Sequence, residues 1–213
     1  SWAGLALGVD PDGAGPATAM GVDAFARITD GVNAAAAYGG VDPRVVHVLD
    51  GAYYESNIAV TQAMTIDGES RAGVILGPAI QDANIDSTFG GVISNGLVIQ
   101  SGGVTIQNMT IDGSADNGLA GEHNFRAGII TDHGTPGVFD NITVQNVTVQ
   151  HTYRRGIQIY SAWLNGTRST GHLITGNTIS DVVLGPAIAF FDAAGTISNN
   201  TVEDTPTAIE SNQ

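Results

Sequence analysis

The chain repeats a short pattern of alternating apolar and polar residues. Four eight-residue segments, which begin at Val104, Ile142, His172 and Gly195, align without gaps. Three columns of this alignment hold equivalent residues: Ile106, Val144, Ile174 and Ile197; Thr110, Thr148, Thr178 and Thr201; and Ile111, Val149, Ile179 and Val202. Each segment contains two runs of period-2 alternation around a polar corner. This pattern predicts a strand, a tight turn and a second strand.

A third apolar run follows each pair of predicted strands. Its central isoleucines form a further column: Ile129, Ile157, Ile188 and Ile209. The threonine column repeats at intervals of 38, 30 and 23 residues, so the loops between strands differ in length. Three strands per repeat of roughly 20–25 residues predict an all-β fold, a parallel β-helix in which stacked coils bury one another's inner faces.

Two details of the pattern support the β-helix over other all-β folds. Asn177 and Asn200 occupy equivalent inward positions, where we expect the amides of adjacent coils to bond to each other. A sandwich or a propeller predicts hairpin turns such as Asn-Gly at roughly every 8–12 residues. The Asn-Gly pairs of the chain begin at Asn95, Asn117 and Asn165 and are 22 and 48 residues apart, so these alternatives are not favoured.

A helical pattern precedes the coils, between Asp23 and Gly40. Apolar residues recur there at helical spacing, Asp23 is the predicted N-cap, and Gly39-Gly40 is the predicted stop. We expect this helix to cap the open end of the β-helix, because uncovered strand edges recruit other chains. The predicted first coil is formed by Val45–Leu49, Ile58–Val60 and Met64–Ile66.

The predicted organisation is an N-terminal arm and capping α-helix over residues 1–44, followed by β-helix coils over residues 45–213. The chain stops at Ser211-Asn-Gln213, directly after a predicted strand and without a second capping pattern. We therefore expect the native coils to continue beyond this point. The alternative is that the open edge supports end-to-end self-association.

The amino-acid composition excludes or disfavours several classes of partner and of catalytic site. Seven Lys and Arg residues against 21 Asp and Glu give a net charge of −14, which disfavours nucleic acid as a partner. All seven basic residues are arginines and the chain has no cysteine, so lysine-based and thiol-based catalysis are excluded. With 42% hydrophobic residues and no apolar run of membrane-spanning length, we expect a folded chain that does not insert into a membrane. An acidic, cysteine-free chain favours an extracellular or cell-surface location.

The repeat and the residues before it resemble the right-handed parallel β-helix proteins of the pectate-lyase-like superfamily. The resemblance rests on the predicted helix, on the segments 46–53 and 64–68, and on the Asn-x-Thr-Ile coils, and it covers about residues 20–213. It implies a right-handed coil. It leaves the chemistry open, because the same fold carries lyases, hydrolases, esterases, epimerases, tailspikes and adhesin stalks.

The predicted site lies on the face formed by the third strand of each coil. Its outward positions are Ile130, Gln158 and Ala189, then Asp132, Tyr160 and Phe191. The loops 113–126 and 150–155 enter this face and carry most of its polar residues: Asp116, Glu122, His123, Arg126, His151, Tyr153, Arg154 and Arg155. Tyrosines can stack on sugar rings, and Asp and Arg can bond ring hydroxyls. We therefore expect a shallow carbohydrate-binding groove here.

The roles assigned to these residues follow partly from the resemblance. Uronate lyases of the superfamily bind Ca²⁺ through acidic residues and use Arg or Lys as the base, and Thr131-Asp-His133 faintly resembles a pectate-lyase motif. The candidate catalytic residues are therefore Asp132, Arg154, Arg155 and His151, and the candidate Ca²⁺ ligands are Asp132 and Asp116. The candidate substrate-binding residues are Tyr153, Tyr160, Gln158, Glu122, His123 and Arg126.

The sequence leaves two functions open. The first is a secreted protein that binds, or cleaves as a polysaccharide lyase, a polysaccharide along the third-strand face. The second is a non-catalytic structural or adhesive segment of a larger cell-surface protein. The polygalacturonase motifs and the second pectate-lyase arginine motif are absent from the chain, so whether it is an enzyme stays open.

Overall fold

The computed structural model describes residues 7–10, 24–40, 43–81, 93–114, 118–132, 137–161 and 167–212. Within these residues the chain winds through six coils, and each coil contributes strand segments to three faces. The fold is therefore the parallel β-helix that the sequence predicts. In the described residues no helix has the length and apolar character needed to span a membrane.

The first face is a seven-stranded sheet in which each strand pairs with its equivalent in the next coil. Among the described residues the first two strands of this sheet pair antiparallel, and the other neighbouring strands pair parallel. The strands are β1 (Leu7–Asp10), β2 (Val45–Val48), β5 (Thr65–Gly68), β8 (Thr105–Gln107), β11 (Thr143–Gln145), β13 (Ser169–Thr175) and β16 (Ala193–Ser198).

The second and third faces join into one sheet, because a single long strand turns from one face to the other in the fourth coil. The second face contains β3 (Gly51–Tyr54), β6 (Val74–Gly77), β9 (Thr110–Asp112), the start of β12 (Thr148–Tyr160), β14 (Thr178–Val182) and β17 (Thr201–Glu203). The third face contains β4 (Ile58–Val60), β7 (Asn95–Ile99), β10 (Phe125–Thr131), the end of β12, β15 (Pro186–Phe191) and β18 (Thr207–Asn212).

The predicted columns are confirmed by the strand register. Each of the four columns lies in direct backbone register from the third coil to the sixth, as with Thr148, which pairs with Thr110 on one side and Thr178 on the other. The inward aliphatic residues of these columns are fully buried up to the fifth coil. In the sixth coil burial falls, and Ile209 is 49% exposed.

The predicted first coil is wrong in one strand. Val46 is in register with Ile66, so the segment that contains Met64–Ile66 begins the second coil. The second strand of the first coil is instead Gly51–Tyr54, which pairs with Val74–Gly77. Two strands of the second coil, Val74–Gly77 and Asn95–Ile99, were not predicted because their segments do not align with the later repeats.

The helix α1 runs from Ile28 to Ala37, which is shorter than the predicted segment. The residue before it is Arg27, and the predicted N-cap Asp23 lies outside the described residues. A buried carboxylate from the first coil takes over the capping role: Glu55 accepts hydrogen bonds from Ile28 N at 2.6 Å and from Thr29 N at 2.9 Å. The helix start is thus fixed by a tertiary contact, and α1 packs on the core of the first coil.

The asparagine ladder predicted at the corner between the first and second faces is present. Asn177, 1% exposed, donates from Nδ2 to Asn200 Oδ1 at 2.9 Å and to Val144 O at 3.0 Å. Its Oδ1 accepts a hydrogen bond from Val147 N at 2.9 Å. In the next coil Asn200 repeats the arrangement by donating to Ile174 O at 2.8 Å. The two amides therefore satisfy corner backbone groups of the neighbouring coils.

Candidate functional site

The structure separates the predicted site residues into two groups. Asp132 and Tyr160 lie at the far end of the third face, whereas His123 and His151 lie at the corner that precedes it. The stretch of β12 between Arg155 and Tyr160 runs along the face between these two places, and five residues of strand span roughly 17 Å. The expectation of one converging site is therefore wrong.

The central row of the third face is covered. Ile130, Gln158 and Ala189 are in register and are 5%, 6% and 0% exposed. Their strand neighbours already point into the core, so this burial means that other parts of the chain pack against the outer side. An open groove through Gln158 is thus wrong. Arg155 reaches along this face, and its guanidinium carbon lies 5.9 Å from the ring centroid of Phe191.

Arg155 is held in this position. Its Nη1 donates to Arg154 O at 2.8 Å, and burial lowers the pKa of its guanidinium, with Glu210 acting in the opposite direction. A side chain on Gly185 would meet Arg155 Nη1 at 2.0 Å, so that glycine leaves room for the guanidinium. Arg154 is half-buried beside it.

The end row of the third face is more accessible to solvent than its central row. Gln100, Asp132, Tyr160 and Phe191 are all half-buried, and Gln100 Nε2 donates to Asp132 Oδ2 at 2.6 Å. Asp116 lies outside the described residues, so the Ca²⁺ site predicted at Asp132 and Asp116 stays a prediction. Among the described side chains, no group of three or more His, Asp or Glu residues is arranged to hold a metal ion.

The other predicted binding residues are spread over the loops that precede the third face. Glu122 is exposed, while Arg126 and Tyr153 are half-buried in β10 and β12. Their roles in binding stay predictions.

A polar cluster occupies the corner between the second and third faces. Asp112, Gln150 and Ser180 are in register, so the residues that follow them stack at this corner; His151 and Asp181 do so with left-handed φ angles of 53° and 50°. A loop from the third coil brings Ser114 and His123 to the same place. We call Asp112, Ser114, His123, His151 and Asp181 the corner cluster.

Short contacts connect the corner cluster. His151 Nδ1 lies 2.7 Å from Asp112 Oδ1 and 2.9 Å from Ser114 Oγ. His123 Nε2 lies 3.0 Å from Asp181 Oδ2, and His151 Nε2 lies 3.8 Å from the same oxygen. The two imidazole rings meet edge to face, with their centroids 6.2 Å apart.

The proton positions follow from the charge on Asp112. Burial of this carboxyl opposes ionisation, but hydrogen bonds from Ser114, Gln150 and His151 outweigh it and lower the pKa of Asp112. An ionised Asp112 requires a proton on His151 Nδ1, so the lone pair of that ring is at Nε2. Ser114 and Asp112 contact the same ring nitrogen, and the cluster is therefore not a Ser–His–Asp nucleophilic triad, which needs them on opposite nitrogens.

A groove follows the second face next to the corner cluster. One depression of about 420 Å³ is lined by Arg71, Ala72, Ile75, Thr110, Asp112, Thr148 and Gln150. A second, of about 470 Å³, lies on the same face at the first coil and is lined by Ala26, Arg27, Asp50, Gly51, Ala52, Tyr53, Tyr54 and Glu55. The two depressions together are called the second-face groove.

Arg71 is the basic residue at the centre of the second-face groove. It lies on the excursion between β5 and β6, and its Nε donates to Thr148 Oγ1 at 2.8 Å. Its Nη1 contacts Asn146 Oδ1 at 3.3 Å and Gly176 O at 3.4 Å, which ties together three corners of the coil stack. Burial lowers the pKa of Arg71. No hydrogen bond joins Nη2 to a residue in the described part of the chain.

Sequence reasoning missed Arg71, Asp112, Ser114 and Asp181. For Asp112 a signal existed, because the position after the third aligned column holds Asp112, Gln150, Ser180 and Glu203, a polar row on the second face. Arg71 had no such signal, since its segment is absent from the other coils.

Comparison with known proteins gives one match. The model of a family described as "Right handed beta helix region" matches residues 66–212, which is more than half of the chain. No curated protein and no solved structure matches the chain.

Proposed function

The chain belongs to the right-handed β-helix family, and from this premise we propose that it binds a polysaccharide along the second-face groove. The observation that carries the proposal is that both depressions lie on one face and follow the coil axis. Adjacent coils are about 4.8 Å apart, so an extended sugar polymer along this axis meets a new set of side chains at each coil.

The groove offers the contacts that sugars use. Thr110, Thr148 and Gln150 present hydroxyl and amide groups, and Asp112 presents a carboxylate, all of which can bond to ring hydroxyls. Tyr54, 42% exposed at the end of the groove, offers an aromatic face for stacking on a sugar ring.

The charge of the protein favours a neutral polysaccharide. The chain carries a net charge of −14, and Asp50, Glu55 and Asp112 line the groove against Arg27 and Arg71. An anionic polymer would be repelled by most of this surface. In this proposal the protein works outside the cell or on its surface, where it meets polymeric carbohydrate.

Two matched tyrosine variants test the surface. Binding of a panel of neutral and uronate polysaccharides is measured by calorimetry, with Ca²⁺ and then with chelator. We expect Tyr54→Ala to weaken binding by about tenfold, the value of one stacking contact. Tyr160→Ala, on the third face, should leave binding unchanged.

If Tyr160→Ala weakened binding and Tyr54→Ala did not, the binding site would lie on the third face. That result would agree with the sequence prediction and contradict this proposal. Absence of binding to every polysaccharide would overturn carbohydrate recognition altogether. It would leave a structural or adhesive segment as the remaining function.

A further inference from the structure

We propose that Asp112 and His151 form an acid–base pair that hydrolyses ester substituents on the bound polysaccharide. The inference rests on the proposed function, because Asp112 lines the second-face groove and Gln150, the residue before His151, lines it too. His151 thus borders the place where we expect the polymer to lie.

The pair is held rigidly. Asp112 Oδ1 accepts hydrogen bonds from Ser114 N at 2.9 Å and Ser114 Oγ at 3.0 Å, and its Oδ2 accepts one from Gln150 Nε2 at 2.8 Å. It contacts His151 Nδ1 at 2.7 Å and so fixes both the tautomer and the orientation of the ring. Asp112 acts through His151 and is a positioning residue.

The free nitrogen of His151 is available for proton transfer. The side chain is 33% exposed, and the nearest recorded acidic oxygen to Nε2 is Asp181 Oδ2 at 3.8 Å, beyond hydrogen-bond length. That oxygen bonds to His123 Nε2 at 3.0 Å instead.

The reaction uses water as its co-reactant. The water oxygen forms a bond to the ester carbonyl carbon while its proton passes to His151 Nε2. The carbonyl oxygen becomes the negative oxygen of the tetrahedral intermediate, to which solvent water donates. The bond between that carbon and the sugar oxygen then breaks, Nε2 returns its proton to the sugar oxygen, and a carboxylic acid and a free hydroxyl result.

Ester cleavage fits this cluster better than cleavage of the sugar chain. Hydrolysis of a glycosidic bond needs a carboxylic acid that stays protonated, whereas the hydrogen bonds to Asp112 lower its pKa. Elimination needs a uronate, which the acidic groove disfavours. Ester hydrolysis needs only a base, a water molecule and a donor to the oxyanion.

The test measures acetate release from O-acetylated xylan and, independently of polymer binding, from 4-nitrophenyl acetate. The variant is His151→Asn, because asparagine tolerates the left-handed φ of 53°. The matched control is His47→Asn, which alters a histidine–aspartate pair outside the corner cluster, 3.8 Å from Asp67 on the first face. We expect at least about 100-fold loss in His151→Asn and none in His47→Asn.

The split between kcat and KM tests the positioning role. In Asp112→Asn, kcat for 4-nitrophenyl acetate should fall by at least about 10-fold with KM unchanged, because the amide no longer fixes the tautomer of His151. Wild-type rates in His151→Asn, activity that chelator abolishes, or no hydrolysis of either ester would overturn the proposal. Hydrolysis of the small ester without binding of any polysaccharide would support the acid–base pair and overturn the proposed function.

Discussion

Replacing Asn177 with alanine tests whether the asparagine ladder holds the last coils in place. The side chain is 1% exposed and makes three hydrogen bonds, to Val147 N, Val144 O and Asn200 Oδ1. Two of the partners are backbone groups at or near the corner, and alanine offers them no replacement. The ladder should therefore contribute to stability through satisfied backbone groups and not through packing.

The magnitude follows from these bonds. A buried hydrogen bond contributes about 1 kcal/mol net, and leaving a buried backbone group without a partner costs about 1–3 kcal/mol. We expect Asn177→Ala to lower the free energy of unfolding by about 3–5 kcal/mol. Asn200→Ala should cost a similar amount, because it removes the partner of Asn177 N, Asn177 Nδ2 and Ile174 O, and these residues are 1% and 0% exposed.

Urea unfolding followed by circular dichroism, with linear extrapolation to water, measures both variants. The reasoning would be refuted if either variant lost less than about 1 kcal/mol. That result would mean that the corner backbone finds other partners when the amide is removed.

Three further outcomes are expected from the same unfolding assay. Glu55→Ala should lower stability by about 2 kcal/mol or more, because the first turn of α1 loses the carboxylate that caps it; an unchanged midpoint would contradict this. Burial lowers the pKa of His172, so the folded protein keeps its ring neutral while the unfolded chain binds a proton below about pH 6.5. Stability should therefore fall as the pH drops through that range, and His172→Gln should remove this part of the dependence. Gly156→Ala should destabilise the fourth coil strongly, because its Cβ would lie 2.6 Å from Ala187 O, and wild-type stability would show that the strands can separate.

The part of the fold that the sequence predicted is the part where each coil repeats the last. From Ile106 onwards the inward residues recur in every coil. Residues that align in the sequence are therefore also paired between neighbouring strands. Gly51–Tyr54 and Val74–Gly77 have no such partners in the sequence and were missed. The start of α1 was missed because Glu55, a residue distant in the chain, caps it.

The candidate site was harder to predict, because it depends on which outer faces the loops cover. Period-2 alternation places Gln158 on the outside of a strand, but it does not tell whether another segment packs on top. The sequence does place the loops of His123 and His151 on one side, but it gives no indication that Ser114 and Asp181 contact these histidines there. Side-chain groupings at coil corners depend on loop paths, and the four aligned segments do not encode these paths.

Because the coils stack in chain order, their arrangement also determines how the molecule responds to a pulling force. In the described residues each coil strand pairs with strands of the coil before it and the coil after it, so tension between the two ends pulls first on an outermost coil. Successive threonines of the repeating column are 38, 30 and 23 residues apart. Detachment of one such coil would release roughly 8–13 nm of extended chain. Under load the protein should therefore lengthen in discrete steps of unequal size, and the loops of each coil would set the length of its step.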